Sequence, residues 1–285
     1  MKKYTQADFD AFEVIDGIKQ CPSGDYSDIR VFGESCSFGA WCSFGEDCSF
    51  GKGCSFSESC SFGEDCSFDE DCSFGAWCSF GEGCSFSEKC SFGAWCSFGK
   101  GCSFGEYCSF GKGCSFGESC SFGEDCSFDE DCSFSEGCSF GAWCSFGEDC
   151  SFGACCSFGE YCSFGACCSF GKGCSFSEKC SFGAWCSFGK GCSFGEYCSF
   201  EEYCSFEEKG EYIGDYPFLA FVGFGSRIGS KVYFFNLQDG IYVRCGCWLS
   251  DIAGFRERVK EKNADAMYLD LCDLVERKFN RKNSK

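Results

Sequence analysis

From residue 36 to residue 209 the chain alternates apolar and polar positions inside a repeat of six. Cys-Ser-Phe is followed by three residues such as Gly-Ala-Trp, Gly-Glu-Asp or Gly-Lys-Gly, and the triplet recurs without a gap from Cys36 to Cys204, 29 times. A period of two marks a strand, with Cys and Phe on one side and Ser on the other. A fixed longer period marks a solenoid of stacked coils. Turning the Phe side to water would expose far more apolar surface than a soluble chain tolerates, so the reading predicts a Cys/Phe core with Ser outward. The residue after Phe is Gly in most copies. It is read as the corner that needs unusual backbone angles.

A small residue, any residue, a large apolar residue, then Gly or an acid and two free positions begins at Cys36, Phe38 and Gly39. This pattern resembles the hexapeptide repeat of left-handed β-helix proteins. The resemblance covers residues 36–209. It implies an all-β solenoid, a left-handed triangular parallel β-helix with three hexapeptides per coil and about ten coils here. One departure is the Phe in every copy, where that family prefers Ile, Val or Leu. It implies a widened triangle or a stacked aromatic column. Sorting the copies in threes places Trp41, Trp77, Trp95 and Trp185 on one edge, with Trp143 off it, and Tyr107, Tyr161 and Tyr197 on a second.

The pattern divides the chain into residues 1–35 (a helix and cap), 36–215 (the β-helix) and 216–285 (a small α+β C-terminal domain). Thr5 is placed to cap a helix with Phe9, Phe12 and Ile15 on one side. Tyr26 and Phe32 fall in the Phe register, so the winding should start before the Cys ladder. In the tail, 218–224, 231–237 and 241–249 read as strands, with a hairpin turn at Gln238-Asp239-Gly240. Ser250 is placed to cap a helix carrying Ile252, Phe255 and Val259. A second helix carries Tyr268, Leu271, Cys272, Val275 and Phe279 on one face.

The chain holds 35 Cys and no His. Regular spacing beside Phe describes small buried side chains rather than a disulfide scaffold. Cys155 and Cys167 stand on turns instead and should reach solvent. With no apolar leader in the first residues, the expectation is a reduced, cytoplasmic protein. Many proteins of the resembled family are acyltransferases with a His base, and no residue here can take that role, so no enzyme and no cofactor are expected. Cys245, Cys247 and Cys272 fall short of the four ligands of structural zinc, so no metal is expected.

Net charge is −20, and −19 of it belongs to residues 36–209. Such a body repels nucleic acid and anionic membranes. Spread over a ~46 Å rod, its acidic groups approach the ~1.7 Å charge spacing of duplex DNA. The expected partner is a protein, a DNA-binding one if the rod imitates DNA. Candidate contacts are Asp69, Glu70 and Asp71, then Glu124 and Asp125, then Asp129, Glu130 and Asp131. Other readings stand beside this one. The charge serves solubility alone, or Trp41, Trp77, Trp95 and Trp185 form an edge for filaments or homo-oligomers, or the outward Ser rows bind ice.

Overall fold

The computed structural model describes residues 1–189, 191–195, 198–201, 204–206, 218–222, 231–237, 240–245, 248–261 and 267–280. From Ser49–Phe50 onward each Ser-Phe pair is a two-residue strand that bonds in parallel to strands 18 residues away, as in Ser79↔Ser61 and Ser79↔Ser97. Three hexapeptides therefore make one coil. The strands sort into three parallel sheets, the flat faces of a solenoid of about ten coils. The first face includes Cys36–Phe38, the second includes Ser61–Phe62 and the third includes Ser49–Phe50.

The alternation falls as the pattern requires, with Phe buried and Ser at the surface at every described copy. Coil spacing matches ring stacking. Phe122 lies 4.8 Å from Phe104 and from Phe140, tilted only 3°. It meets Phe116 of the neighbouring column edge-on at 5.0 Å and 87°. Three ring columns thus fill the triangle in the two geometries that aromatic quadrupoles favour.

The thiols have a second task. Cys126 Sγ donates to the Gly105 carbonyl at 3.4 Å, and the same bond to the corner residue 21 positions earlier recurs up the rod. Among the described residues no backbone amide donates to those corner carbonyls. Cys therefore fills a small apolar site and completes the corner, which Ala or Val of similar bulk does not.

The corner Gly has a reason different from the expected one. Its φ is not positive. A Cβ on Gly123 would lie 2.8 Å from the Glu106 amide nitrogen and the Gly105 carbonyl carbon, so Gly serves close coil-to-coil approach. The left-handed residue is the third of each turn, such as Trp77 at φ 63° and Asp125 at φ 55°.

At the N-terminus Thr5 caps Gln6–Asp10 through a reciprocal bond pair with Asp8. Phe9 is buried there and Phe12 half-buried. Ile15 is not on that helix. It lies exposed in Val14–Ile15, antiparallel to Ile18–Cys21. Asp16 and Gly17 both adopt positive φ, the turn chemistry that Asp-Gly favours in a tight hairpin, and this outweighs the helical spacing. The winding does begin early. Tyr26 stacks on Phe44, Phe32 stacks on Phe50, and Cys21 pairs in register with Phe38.

The C-terminal sheet joins Phe218–Val222, Lys231–Leu237, Gly240–Cys245 and Trp248–Asp251 in one antiparallel order. The expected strand over 241–249 is two strands, since Cys245 pairs with Trp248 across a tight reversal. Alternation along Lys231–Leu237 is decisive. Val232 and Phe234 pack under the helices Ile252–Glu261 and Met267–Asn280, while Tyr233 and Phe235 join the solenoid core. Arg244 donates to the Phe194 carbonyl at 3.0 Å and lies 4.8 Å over its ring. The sheet thus covers the open end of the rod, whose exposed strand edges would otherwise recruit other chains. The first helix is capped by Asp251, which accepts from the Gly254 amide at 2.7 Å, and not by Ser250. Tyr197, Gln238, Asp239, Cys247 and the Phe279 side chain fall outside the described residues.

Candidate functional site

With the core closed by Phe and Cys, the variable turn residues are what the rod presents. They line three corners. Trp41, Trp77, Trp95 and Trp185 all stand between the first and second faces, as their spacing predicts, and all four are exposed. Trp77 stacks on Trp95 at 5.7 Å and 15°. Trp143, the odd one out, joins the tyrosine corner between the third and first faces. It lies flat on Tyr161 at 4.1 Å, and Lys179 one coil on lies 4.5 Å over the Tyr161 ring. Each of these aromatic residues holds a left-handed φ near 60°, which disfavours bulky side chains.

All eight acidic candidates are exposed. Asp69, Glu70, Asp71, Glu124 and Asp125 share the third–first corner, and Asp129, Glu130 and Asp131 lie on the first–second corner. The two Asp-Glu-Asp clusters are not bare. Lys52, one coil before, bonds Glu70 at 2.8 Å and Asp71 at 3.2 Å. Lys112 stands in the same relation to Glu130 at 3.0 Å and Asp131 at 3.1 Å. Half-exposed pairs of this kind contribute little stability. They do neutralise part of each cluster.

The less compensated stretch is one that sequence reasoning passed over. Glu88, Glu106, Glu124 and Asp125 surround Tyr107 on successive coils of the third–first corner. The Asp125 carboxylate, then Glu106, raises the Tyr107 hydroxyl above the ordinary tyrosine range, with Glu124 and Glu88 adding to it. The signal was present in the 18-residue spacing of Glu88, Glu106 and Glu124, once the coil length is known.

Four buried thiols beside the third face offer little chemistry. A neighbouring thiol one coil away, with burial, pushes Cys102, Cys138 and Cys156 up to about 12 and Cys174 up to about 11. That is the opposite of an activated nucleophile. Cys155 and Cys167 are exposed on different corners.

Comparison with known families gives one match. The RNA-binding, Nab2-type zinc finger family matches short segments at residues 32–45, 35–51, 41–57, 71–87, 89–105, 108–123, 119–135 and 138–153, less than half of the chain. Neither a characterised protein nor a solved structure matches. The zinc that this family implies does not fit the residues present. Its three-cysteine, one-histidine set lacks a histidine here. The matched segments overlap, so Cys42 would serve three fingers at once. Cys42 is instead buried and donates to the Gly39 carbonyl at 3.1 Å. Among the described residues no group of three or more Cys, Asp and Glu side chains could hold a metal ion. Among the same residues no helix is long and apolar enough to cross a membrane.

Proposed function

We propose that this chain is a non-enzymatic acidic rod that binds a protein with a basic groove, taking the place of duplex nucleic acid there. The observation that carries the reading is the placement of exposed carboxylates on successive coils of all three corners, around a closed Phe/Cys core. The net −19 along ~46 Å is one charge per ~2.4 Å, near the density of a duplex. The hexapeptide pattern supports a place among left-handed β-helix proteins, and the buried thiols support a reducing, cytoplasmic setting.

Direct RNA binding, which the zinc-finger match suggests, is disfavoured by the same charge. A phosphate backbone and this rod repel one another, and among the described residues no zinc site is available to present a finger. Oligomerisation through the tryptophan corner is the second reading, favoured by the exposure of Trp41, Trp77 and Trp185.

The test is competition. A partner captured by the rod should be released by duplex DNA, and capture should fade between low and high salt. Reversing Glu106, Glu124 and Asp125 to Lys should weaken capture more than reversing Asp69, Glu70 and Asp71, which Lys52 already offsets. Simultaneous binding of rod and DNA by one partner would sink mimicry. Light scattering at rising concentration separates the oligomer reading, since a lone rod keeps the mass of one chain.

A further inference from the structure

On the first–second corner the left-handed turn residues of four successive coils are Trp41, Ser59, Trp77 and Trp95. The column is aromatic except at one rung. Ser59 is small, and Trp41 and Trp77 on either side are 61% and 60% exposed. Two coils separate those two positions, ~9.6 Å at ~4.8 Å per coil, so a guest at the Ser59 rung would lie ~4.8 Å from the rung of each tryptophan. That is inside the ~6 Å reach of cation–π attraction.

The molecule already uses this spacing for cations. Lys179 occupies the rung after Tyr161, its Nζ 4.5 Å over the ring, and Arg244 lies 4.8 Å over Phe194. At the Ser59 rung the same geometry is offered from both sides. Glu58, beside it on the same turn, is exposed and in no ion pair among the described residues. Its column neighbours one coil before and after are Ala40 and Ala76, where Glu70, Glu118 and Glu130 each have a lysine. A carboxylate is thus left beside an open aromatic gap.

We propose that the gap at Ser59, between Trp41 and Trp77 and beside Glu58, is a notch for a planar cation, the guanidinium of an arginine on a basic partner segment. A flat cation stacks on both indoles while Glu58 accepts its in-plane N–H groups. The inference rests on the reading of a basic partner and names the group that such a partner would insert. A lysine ammonium meets the charge but not the stacking, so arginine is preferred.

The probe is N-acetyl-arginine amide added to the full chain, with N-acetyl-citrulline amide as the neutral planar control and tryptophan indole resonances as the readout. Arginine should bind saturably and shift Trp41 and Trp77 but not Trp143 or Trp185. Citrulline and the Glu58→Gln variant should each bind about five-fold more weakly. Ser59→Tyr fills the rung and should abolish the response. It is expected to fold, because Tyr107 and Tyr161 hold the same turn position at φ 59° and Ser59 is already at φ 61°. Trp41→Ala gives a second, independent loss. Equal responses to arginine and citrulline, or a Ser59→Tyr rod that still binds, would overturn the notch. Reversal of Glu106, Glu124 and Asp125 should leave arginine binding unchanged. A rod that takes arginine at the notch yet is not displaced by DNA from its partner would therefore retain the notch and lose the mimicry.

Discussion

Raising pH should dismantle this rod at a point where ordinary proteins are untroubled. The perturbation is deprotonation of the core thiols. An unfolded thiol titrates near ~8.5, whereas Cys174 in the fold is pushed up to about 11 and Cys102, Cys138 and Cys156 up to about 12. A group whose folded pKa is raised contributes stability that is complete below its unfolded pKa and is lost as pH climbs through the folded one. The window therefore opens near pH 8.5 and runs to 11–12. At pH 9.5 each such thiol favours the unfolded chain by about 1.4 kcal/mol. The four thiols together make that about 6 kcal/mol, within the ~5–15 kcal/mol stability of a typical domain.

The assay is urea unfolding by circular dichroism at half-unit steps from pH 7 to 10, with a phosphine reductant to keep the thiols reduced. The urea midpoint should hold to about pH 8.5 and then fall steeply, with no native signal left without urea by about pH 10. Thiolate absorbance should rise together with the loss of β signal. A midpoint that stays level through pH 10, or thiolate absorbance that rises while the β signal persists, refutes the closed, hydrogen-bonded thiol core.

Two further outcomes test the core and its C-terminal cover. Phe122→Ala removes a ring stacked at 4.8 Å on both sides and should cost about 3–5 kcal/mol, whereas Ser121→Asp on the outer side of the same strand should stay within about 0.5 kcal/mol; equal effects measured by urea unfolding would invert the in/out assignment. Arg244→Ala should cost about 2 kcal/mol and, because coils couple mainly to their neighbours, hydrogen exchange should quicken around Phe194 and Phe200 and not around Phe122.

How much of this was legible follows from what each residue has to satisfy. The Cys-Ser-Phe alternation dictated the inside and outside of every strand, and grouping in threes placed four tryptophans on one corner. Both are consequences of short periods that a linear reading counts directly. The Lys52–Glu70 and Lys112–Glu130 bridges were hidden, because partners 18 residues apart look unrelated until the coil length is fixed. The thiol bond to the corner carbonyl was hidden for a different reason. Spacing identifies a small buried residue, but only the backbone path shows that a carbonyl without an amide donor lies beside it. Ile15 stands at helical spacing from Phe12, but the Asp16-Gly17 turn beside it forms a hairpin and takes Ile15 into a strand. Ser250 and Asp251 are both able to cap, and the register of the preceding strand chose between them.

The same logic locates where this rod keeps its information. Cys, Ser and Phe are fixed by the core, and the corner residue is held small or acidic by the approach of the next coil. Only the last two positions of each hexapeptide are free, and what they present depends on the residues 18 before and 18 after. The turns Ser-Glu-Lys, Gly-Ala-Trp, Gly-Lys-Gly and Gly-Glu-Tyr occur at residues 87–107 and again at 177–197, five whole coils later. Trp95 and Trp185 accordingly share a corner. Yet Trp95 follows Trp77 in its column and stacks on it, whereas Trp185 follows Cys167. Duplicating a turn duplicates its corner and not its neighbours. The unit of the rod's surface is therefore three residues stacked across successive coils, and repeat-by-repeat comparison along the chain, which yields overlapping matches to a zinc-finger pattern, does not register it.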